Sequence, residues 1–262
     1  MKKIICLLLS LTLTVLSLAV LSGCGSCEAH VDADKDNLCD ECGEEYIAPV
    51  DGVADTVAYY ANSQPLKVET VAKHDYYEFD DEGNEFIVYT LNYNSVLKTG
   101  KVNGLIATVE REFRDIIDSI KSEDADGKIR PVIKNITSTE EFLQGSGRRS
   151  NGGEWVNGYN FAPSKGAIAI NLDKANLQNV TYVEAPYNNV LTFTVPADKV
   201  EAVFGTKLTS DSAVNVSITN DGAVVTGIKV SYGIKAVGNY PKCLVVEEVK
   251  YDYSVQRVDL VS

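Results

Sequence analysis

Val214-Asn-Val-Ser-Ile-Thr-Asn-Asp-Gly-Ala-Val-Val-Thr-Gly-Ile-Lys-Val-Ser-Tyr232 is the stretch that decides the fold. On each side of Asn220-Asp221-Gly222, apolar and polar residues alternate, as they do on a strand with one covered and one wet face. Asn-Asp-Gly is a strong signal for a turn between two antiparallel strands. The stretch therefore predicts a hairpin in a sheet that is covered on one side. The alternation is carried by Val214, Val216, Ile218, Ile228, Val230 and Tyr232.

Strand-like runs continue along the chain on both sides of this hairpin. They cover Ala167–Leu172, Val180–Glu184, Val190–Val195, Val214–Thr219, Ala223–Tyr232 and Leu244–Val258. Pro196-Ala-Asp198 predicts the start of a short helix that continues from Lys199 to Phe204. A sheet with short helices inserted between its strands is an α+β arrangement.

The preceding region begins with a helix signal and continues with strands. Asp51 is a good N-cap for a helix over Val53, Val57, Tyr60 and Ala61, and Pro65 ends that helix. The chain then reads as a hairpin of Tyr76–Phe79 and Phe86–Leu91 around the acidic turn Asp80–Asn84, with a further strand near Val96–Lys98.

Residues 104–121 fit two structures. Their apolar residues match one face of a helix, although an edge strand over Thr108 to Ile116 is the alternative; the pattern favours the helix. Arg130–Ile136 predicts a strand. Thr137-Ser-Thr-Glu140 resembles a capping box and predicts a short helix through Leu143. The apolar positions of the first segment are Ile106, Val109, Phe113, Ile116, Ile117 and Ile120.

A glycine-rich segment, Gln144–Gly153, predicts a loop that leads to the only tryptophan, Trp155. Arg148 and Arg149 beside it could form an anion-reading lid. The favoured interpretation is an ordinary surface loop with Trp155 packed in the core.

Leu21-Ser22-Gly23-Cys24 follows two lysines and an apolar run from Ile4 to Val20. It resembles a bacterial lipobox, after which the chain is cut before Cys24 and the cysteine is acylated. This implies a signal peptide over residues 1–23 and a membrane anchor without a spanning helix. Two acyl chains, such as palmitate, are needed for stable anchoring. The resemblance implies a lipoprotein on the extracytoplasmic face of the cell membrane.

The charge is acidic. The chain has 24 basic and 37 acidic residues, a net charge of −13; loss of two lysines with residues 1–23 leaves −15. Such a charge argues against a nucleic-acid partner and against adhesion to anionic lipid headgroups.

Residues 24–50 predict a small module before a single α+β domain over residues 51–262. Oxidised cysteines would make the module a disulfide-pinned tether, which is favoured slightly. Cys27, His30, Cys39 and Cys42 form two pairs that suit zinc. Asp32, Asp34, Asp36 and Asp40 fall at calcium-loop positions, but Asn37 and Gly43 replace the glycine and glutamate of that loop, so calcium is less favoured. The segment resembles accessory modules of surface proteins in spore-forming gut bacteria.

No motif predicts an enzyme. His74 is the only histidine of the domain and lacks a Gly-x-Ser-x-Gly partner, so a solvated or satisfied surface residue is expected. Ser95-Val-Leu-Lys98 matches Ser-x-x-Lys only by coincidence. Glu247 and Glu248, as neighbours on a strand, point to opposite faces and cannot flank one glycosidic bond. Cys243 either stays single or pairs with a cysteine of the tether.

The order of anchor, tether, short helix and long antiparallel strands resembles that of LolA-like lipid and lipoprotein carriers, over residues 52–262. That resemblance implies a strongly curved half-barrel with short helices on its concave side and an apolar cavity. The resulting hypothesis is a non-enzymatic lipoprotein that binds an apolar or amphiphilic ligand. The alternatives are a surface protein-interaction or structural module without such a ligand, and a hydrolase around the Arg148–Trp155 loop.

Overall fold

The computed structural model describes residues 38–40, 42–43, 51–120, 131–143, 146–158, 170–205, 208, 210–236 and 241–260. The chain divides into two units, Met1–Val50 and Asp51–Ser262. In the described part of the chain, no helix has the length and apolar character needed to cross a bilayer.

The second unit is built on one open, mostly antiparallel sheet of twelve strands. Eleven strands follow the order β6-β5-β4-β3-β2-β1-β11-β10-β9-β8-β7, and β12 pairs with β2 in parallel. The N-terminal strand β1 and the late strand β11 therefore pair with each other near the middle of the sheet. The strands are β1 Lys67–Phe79, β2 Glu85–Val102, β3 Leu105–Ile120, β4 Pro131–Leu143, β5 Ser146–Ser150, β6 Val156–Asn157, β7 Gln178–Val183, β8 Asn189–Val195, β9 Val214–Asn220, β10 Val225–Ile234, β11 Lys242–Asp252 and β12 Gln256–Arg257.

Two α-helices accompany the sheet: α1, Gly52–Asn62, and α2, Val200–Phe204. The Asp51 carboxylate accepts hydrogen bonds from the backbone N–H groups of Val53 and Ala54, which satisfies donors that a helix start leaves free. Helix α1 contacts β8, β9 and β10. Both helices were predicted, and the α2 prediction is confirmed together with a preceding 3-10 turn, Ala197–Lys199.

The main core lies between these helices and the C-terminal strands. Leu191, Ile218 and Ile228 are at most 1% exposed, and they alternate with polar residues on the opposite face. Burial of this apolar area is the largest stabilising contribution available to the unit. The other buried residues of the main core are Val53, Val68, Leu172, Leu177, Phe193, Val195, Val200, Val203, Phe204, Val214, Val216, Val225, Val230 and Val249.

Both predicted hairpins are confirmed. β1 and β2 join through the acidic turn, where Asp80 accepts hydrogen bonds from the backbone of Glu82 and Asn84. β9 and β10 join through Asn220-Asp221-Gly222, where Gly222 has φ +85°, a conformation that glycine adopts without strain.

The helix predicted for residues 104–121 is wrong: Leu105–Ile120 is strand β3. The helical spacing misled because two inward positions of this strand, Glu110 and Glu112, carry carboxylates although they are buried. The helix predicted from Thr137-Ser-Thr-Glu140 is also wrong, since all four residues lie in β4. There, pairing with β3 and β5 on both sides overrides the local capping signal.

Smaller differences concern strand ends. The predicted loop Gln144–Gly153 contains β5, and the predicted strand Leu244–Val258 breaks into β11 and β12. Residues 170–172 are not in a strand, whereas 159–169 lie outside the described residues. Because β5 pairs with both β4 and β6, its polar sequence is held by neighbours and not by its own propensity.

Candidate functional site

A cavity of about 480 Å³ lies where β9 and β11 begin and β10 ends. Its sheet residues, such as Asn215, Ser231 and Leu244, alternate with buried core residues and therefore lie on the face away from the helices. Ala213, Ala236 and Leu244 are apolar residues of the remaining wall. Tyr232 and Ile234 also line the cavity, although their strand positions alternate with Ser231 and Gly233 and belong to the face that the helices cover.

The wall beside β10 is held by a short loop that approaches Gly233 closely. The N–H of Gly233 donates to Ser212 Oγ at 2.9 Å, and the N–H of Asp211 donates to the Gly233 carbonyl at 3.2 Å. A Cβ on Gly233 would lie 3.1 Å from Ser212 Oγ, so glycine permits this approach. The N–H of Lys235 also donates to the Asp211 carboxylate, at 2.8 Å. The cavity is thus preformed by hydrogen bonds.

Three charged residues line this cavity: Lys235, Lys242 and Asp211. Lys242 forms a 2.6 Å ion pair with Glu85. Lys235 is exposed, and within the described part of the chain no carboxylate lies within ion-pairing distance of its ammonium group. The cavity therefore combines an apolar wall with one cation that is available to a ligand.

Behind the cavity, on the helix-side face of the sheet, lie the buried Cys243 and the half-buried Tyr232. Burial raises the pKa of Cys243 to about 11; the Asp75 charge adds to this and a hydrogen bond with Tyr76 opposes it. Burial, with Glu247 and Cys243, raises the pKa of Tyr232 to about 12. The thiol is protonated at neutral pH, and a thiol is a poor nucleophile. Cys243 is not in a disulfide.

His74 is half-buried on this face, and burial lowers its pKa. The histidine that was expected at the surface is therefore only partly exposed to solvent. Burial by itself would raise the pKa of the neighbouring Asp75, but hydrogen bonds from Lys73 and Thr90 and the Lys73 charge bring it below the usual value. Since Asp75 alternates with His74 along β1, the pair forms no catalytic dyad.

A continuous row of buried side chains crosses the helix-side face of the sheet, which we name the cross-sheet row. Its members, each paired with the next, are Leu191, Ile218, Ile228, Val249, Thr70, Ser95, Glu112 and Ser138. All are at most 8% exposed. The row is apolar through Val249 and polar from Thr70 onward.

The polar end of this row is only partly hydrogen-bonded. Ser95 Oγ donates to Glu110 at 3.0 Å, and Ser138 Oγ lies 3.5 Å from Glu112. Thr70 Oγ1 is buried with no hydrogen-bond partner in the described part of the chain. Burial raises the pKa of Tyr93 to about 12, and Glu112, Glu110 and Glu247 contribute, while Ser95 opposes them. Alternation in the sequence did not reveal these buried acids, because glutamate usually marks the wet face.

The arginines beside the predicted loop serve the sheet. Arg148 lies within 2.7 Å of Glu141 through two nitrogens, and its guanidinium is 4.3 Å from the Trp155 ring centroid. Arg149 contacts Glu140 and Asn151. Both charges are therefore matched within the protein. Trp155 is half-buried over Arg148, so the prediction that it packs in the core is wrong.

The other predicted site residues have separate outcomes. Ser95 and Lys98 point to opposite faces, as Glu247 and Glu248 do. Cys39 is buried and Cys42 half-buried, with the Gly43 N–H donating to the Cys39 carbonyl at 2.7 Å. Asp40 is exposed. Cys24, Cys27, His30, Asp32, Asp34 and Asp36 lie outside the described residues, so lipidation, zinc and calcium stay predictions.

Comparison with known proteins assigns no family to this chain. No family model and no curated protein matches the chain. One solved structure with some similarity is the crystal structure of Rv2717c from M. tuberculosis, at 8% sequence identity and a TM-score of 0.24, over 78% of this chain and 99% of that one. A likeness at this level carries no functional argument.

Proposed function

We propose that this chain is a non-enzymatic, lipid-anchored protein of the extracytoplasmic membrane face that binds an amphiphile with an anionic head. The observation that carries the proposal is the cavity of about 480 Å³, which combines an apolar wall with Lys235, an exposed cation that has no ion-pair partner in the described part of the chain. Ligand pockets generally have volumes of about 300–1,000 Å³ and combine apolar walls with a few polar groups. A chain with an apolar tail and a carboxylate or phosphate head matches both parts.

The anchor at Cys24 rests on the lipobox resemblance of Leu21-Ser22-Gly23-Cys24. A protein held at a membrane surface meets amphiphiles at high local concentration, which favours a modest pocket of this kind. The half-barrel that the LolA-like resemblance implies is part of the same proposal. It is supported by an open antiparallel sheet with short helices on one face. The proposed ligand cavity, however, lies on the face away from those helices.

Binding of a fluorescent long-chain fatty acid and its alcohol analogue tests the proposal. The full chain with Cys24→Ser, which lacks the acylated sulfur, would be titrated with both probes. The acid should bind more tightly than the alcohol because only the acid pairs with Lys235. Lys235→Gln should reduce this preference and leave the affinity for the alcohol unchanged.

A matched pair of variants locates the site. Leu244→Glu places a carboxylate in the cavity wall, whereas Val183→Glu adds the same charge at an exposed position of β7. Leu244→Glu should weaken binding by about tenfold or more, equivalent to ~1.4 kcal/mol, and Val183→Glu by less than about twofold. Equal effects of the two variants, or no binding of either probe, would overturn the proposal and favour a protein-interaction module.

A further inference from the structure

A second cavity, of about 330 Å³, lies on the same outer face of the sheet, beside the first residues of β1. Four cations and two acids line it, a local excess of two positive charges in a protein whose net charge is −13. We name it the basic cavity. Its charged residues are Lys67, Glu69, Lys98, Arg111, Arg257 and Asp259, and its apolar residues are Val96, Val109 and Val258.

The two acids are already committed to two of the cations. Lys67 Nζ lies 2.5 Å from Glu69, and Arg257 Nε lies 2.7 Å from Asp259. Lys98 and Arg111 form no ion pair in the described part of the chain. The excess positive charge of the basic cavity therefore resides on these two side chains.

The strand register brings like charges together. Lys67 and Lys98 are direct partners in the β1–β2 pairing, and Arg111 is one position diagonal to Lys98 on β3. Like charges placed directly opposite each other destabilise a sheet, and diagonal neighbours lie about 7–8 Å apart. An anion between Lys98 and Arg111 would reduce the repulsion between these two diagonal charges.

The C-terminal segment completes the wall. Gln256 and Arg257 pair with Gly100 and Lys101 of β2, and Val258 packs with Ala107 and Val109. A Cβ on Gly100 would lie 2.5 Å from the Gln256 carbonyl oxygen, so glycine lets this segment approach β2. Val109 and Val258, each 5% exposed, form an apolar floor beside the cations.

We infer that the basic cavity binds an oxyanion of the phosphate class, held between Lys98 and Arg111. Arginine forks match phosphate oxygens in geometry, and lysine adds a mobile point charge. Lys98 is half-buried beside the apolar floor, where its interaction with an anion is stronger than in open water, and Arg111 is exposed. This inference is independent of the amphiphile cavity, because the two cavities share no lining residue, and either can fail without the other.

The phosphate can belong to a soluble molecule or to a lipid headgroup, so the test has two arms. In the first, the full chain with Cys24→Ser is titrated with inorganic phosphate and pyrophosphate against chloride at equal ionic strength. In the second, the same protein is sedimented with vesicles of phosphatidylglycerol or of neutral lipid. Binding in the first arm alone assigns a soluble phosphate, and binding in the second alone assigns a headgroup.

Matched variants decide whether binding occurs at this cavity. Arg111→Gln and Lys98→Gln should each raise the dissociation constant about tenfold or more. Lys229→Gln removes one positive charge from β10, on the same face of the sheet as the basic cavity. It should change the dissociation constant by less than about twofold. Gly100→Ala, which displaces the C-terminal wall, should weaken binding without removing any charge. Absence of phosphate binding in both arms, or equal losses in Arg111→Gln and Lys229→Gln, would overturn the inference.

Discussion

From β8 to β11, the cross-sheet row carries leucine, isoleucine and valine, whereas from β1 to β4 it carries threonine, serine and glutamate. Both halves are buried: Ile218 is 0% exposed and Glu112 is 8% exposed. The cross-sheet row passes from one chemistry to the other between Val249 and Thr70. Burial alone therefore does not identify the residues that stabilise this sheet. The apolar half gains free energy on leaving water, while the polar half must recover its desolvation cost through hydrogen bonds.

The largest predicted effect falls in the apolar half. Ile218→Ala should lower the free energy of unfolding by about 2–5 kcal/mol, because it removes buried methyl groups and leaves a cavity. Urea unfolding followed by circular dichroism measures the change. Ile106→Ala, at a residue that is 63% exposed, is the matched control and should stay within about 0.5 kcal/mol. Similar losses in the two variants would contradict the assignment of the core.

A smaller effect is expected at the polar end of the row. Ser95→Ala removes the hydroxyl that donates to Glu110 and should cost about 1–3 kcal/mol, since a buried carboxylate then loses a donor. The same urea experiment applies, with Ser217→Ala on the opposite face as control. If Ser95→Ala costs nothing, the Ser95 hydroxyl is not needed to satisfy Glu110, and the polar half does not depend on this hydrogen bond.

The next effect, of about 1 kcal/mol, separates the two halves by location. Asp51→Ala removes the N-cap of α1. This helix contacts β8, β9 and β10, which belong to the apolar half. Hydrogen exchange should become faster in β8, β9 and β10 and stay unchanged in β3 and β4. Asp81→Ala, in the exposed turn, is the control. Faster exchange in all of these strands would mean that the sheet opens as one cooperative unit.

The same contrast explains how far the sequence could predict this fold. In the C-terminal half, alternation in Val214–Tyr232 matches real burial, and the hairpin and the short helix were predicted correctly. In β3, the inward positions are Glu110 and Glu112, so the apolar residues that remained mimicked helical spacing. Pattern-based prediction assumes that buried means apolar, and it fails where that assumption fails.

The two cavities were not predictable for a different reason. Leu244 and Ser212, or Lys98 and Arg257, are distant in sequence and meet only through strand pairing or the return of the C-terminal segment. Their residue types are common on strand surfaces. The only local signals were Gly100 and Gly233, since glycine inside a strand often marks a close approach of other groups.

The smallest predicted effect tests the boundary between the halves. Glu247 pairs with Val230 on one side and Ala72 on the other, and burial raises its pKa. The folded state therefore holds the Glu247 proton more tightly than the unfolded state does. Its contribution to stability is full below the unfolded pKa and is lost as pH rises through the folded pKa.

Glu247→Gln has no proton to lose, so it should be increasingly more stable than the parent as pH rises from about 4 to 7. Urea unfolding of both proteins across this range gives the difference directly. Contributions of opposite sign, such as that of Asp75, cancel in the difference. Glu248→Gln, at the next position and on the other face of β11, is the matched control. A pH-independent difference for Glu247→Gln would mean that its carboxylate is solvated when charged. Water would then reach the helix-side face of β11, and the polar half would begin at β11 and not at Thr70 of β1.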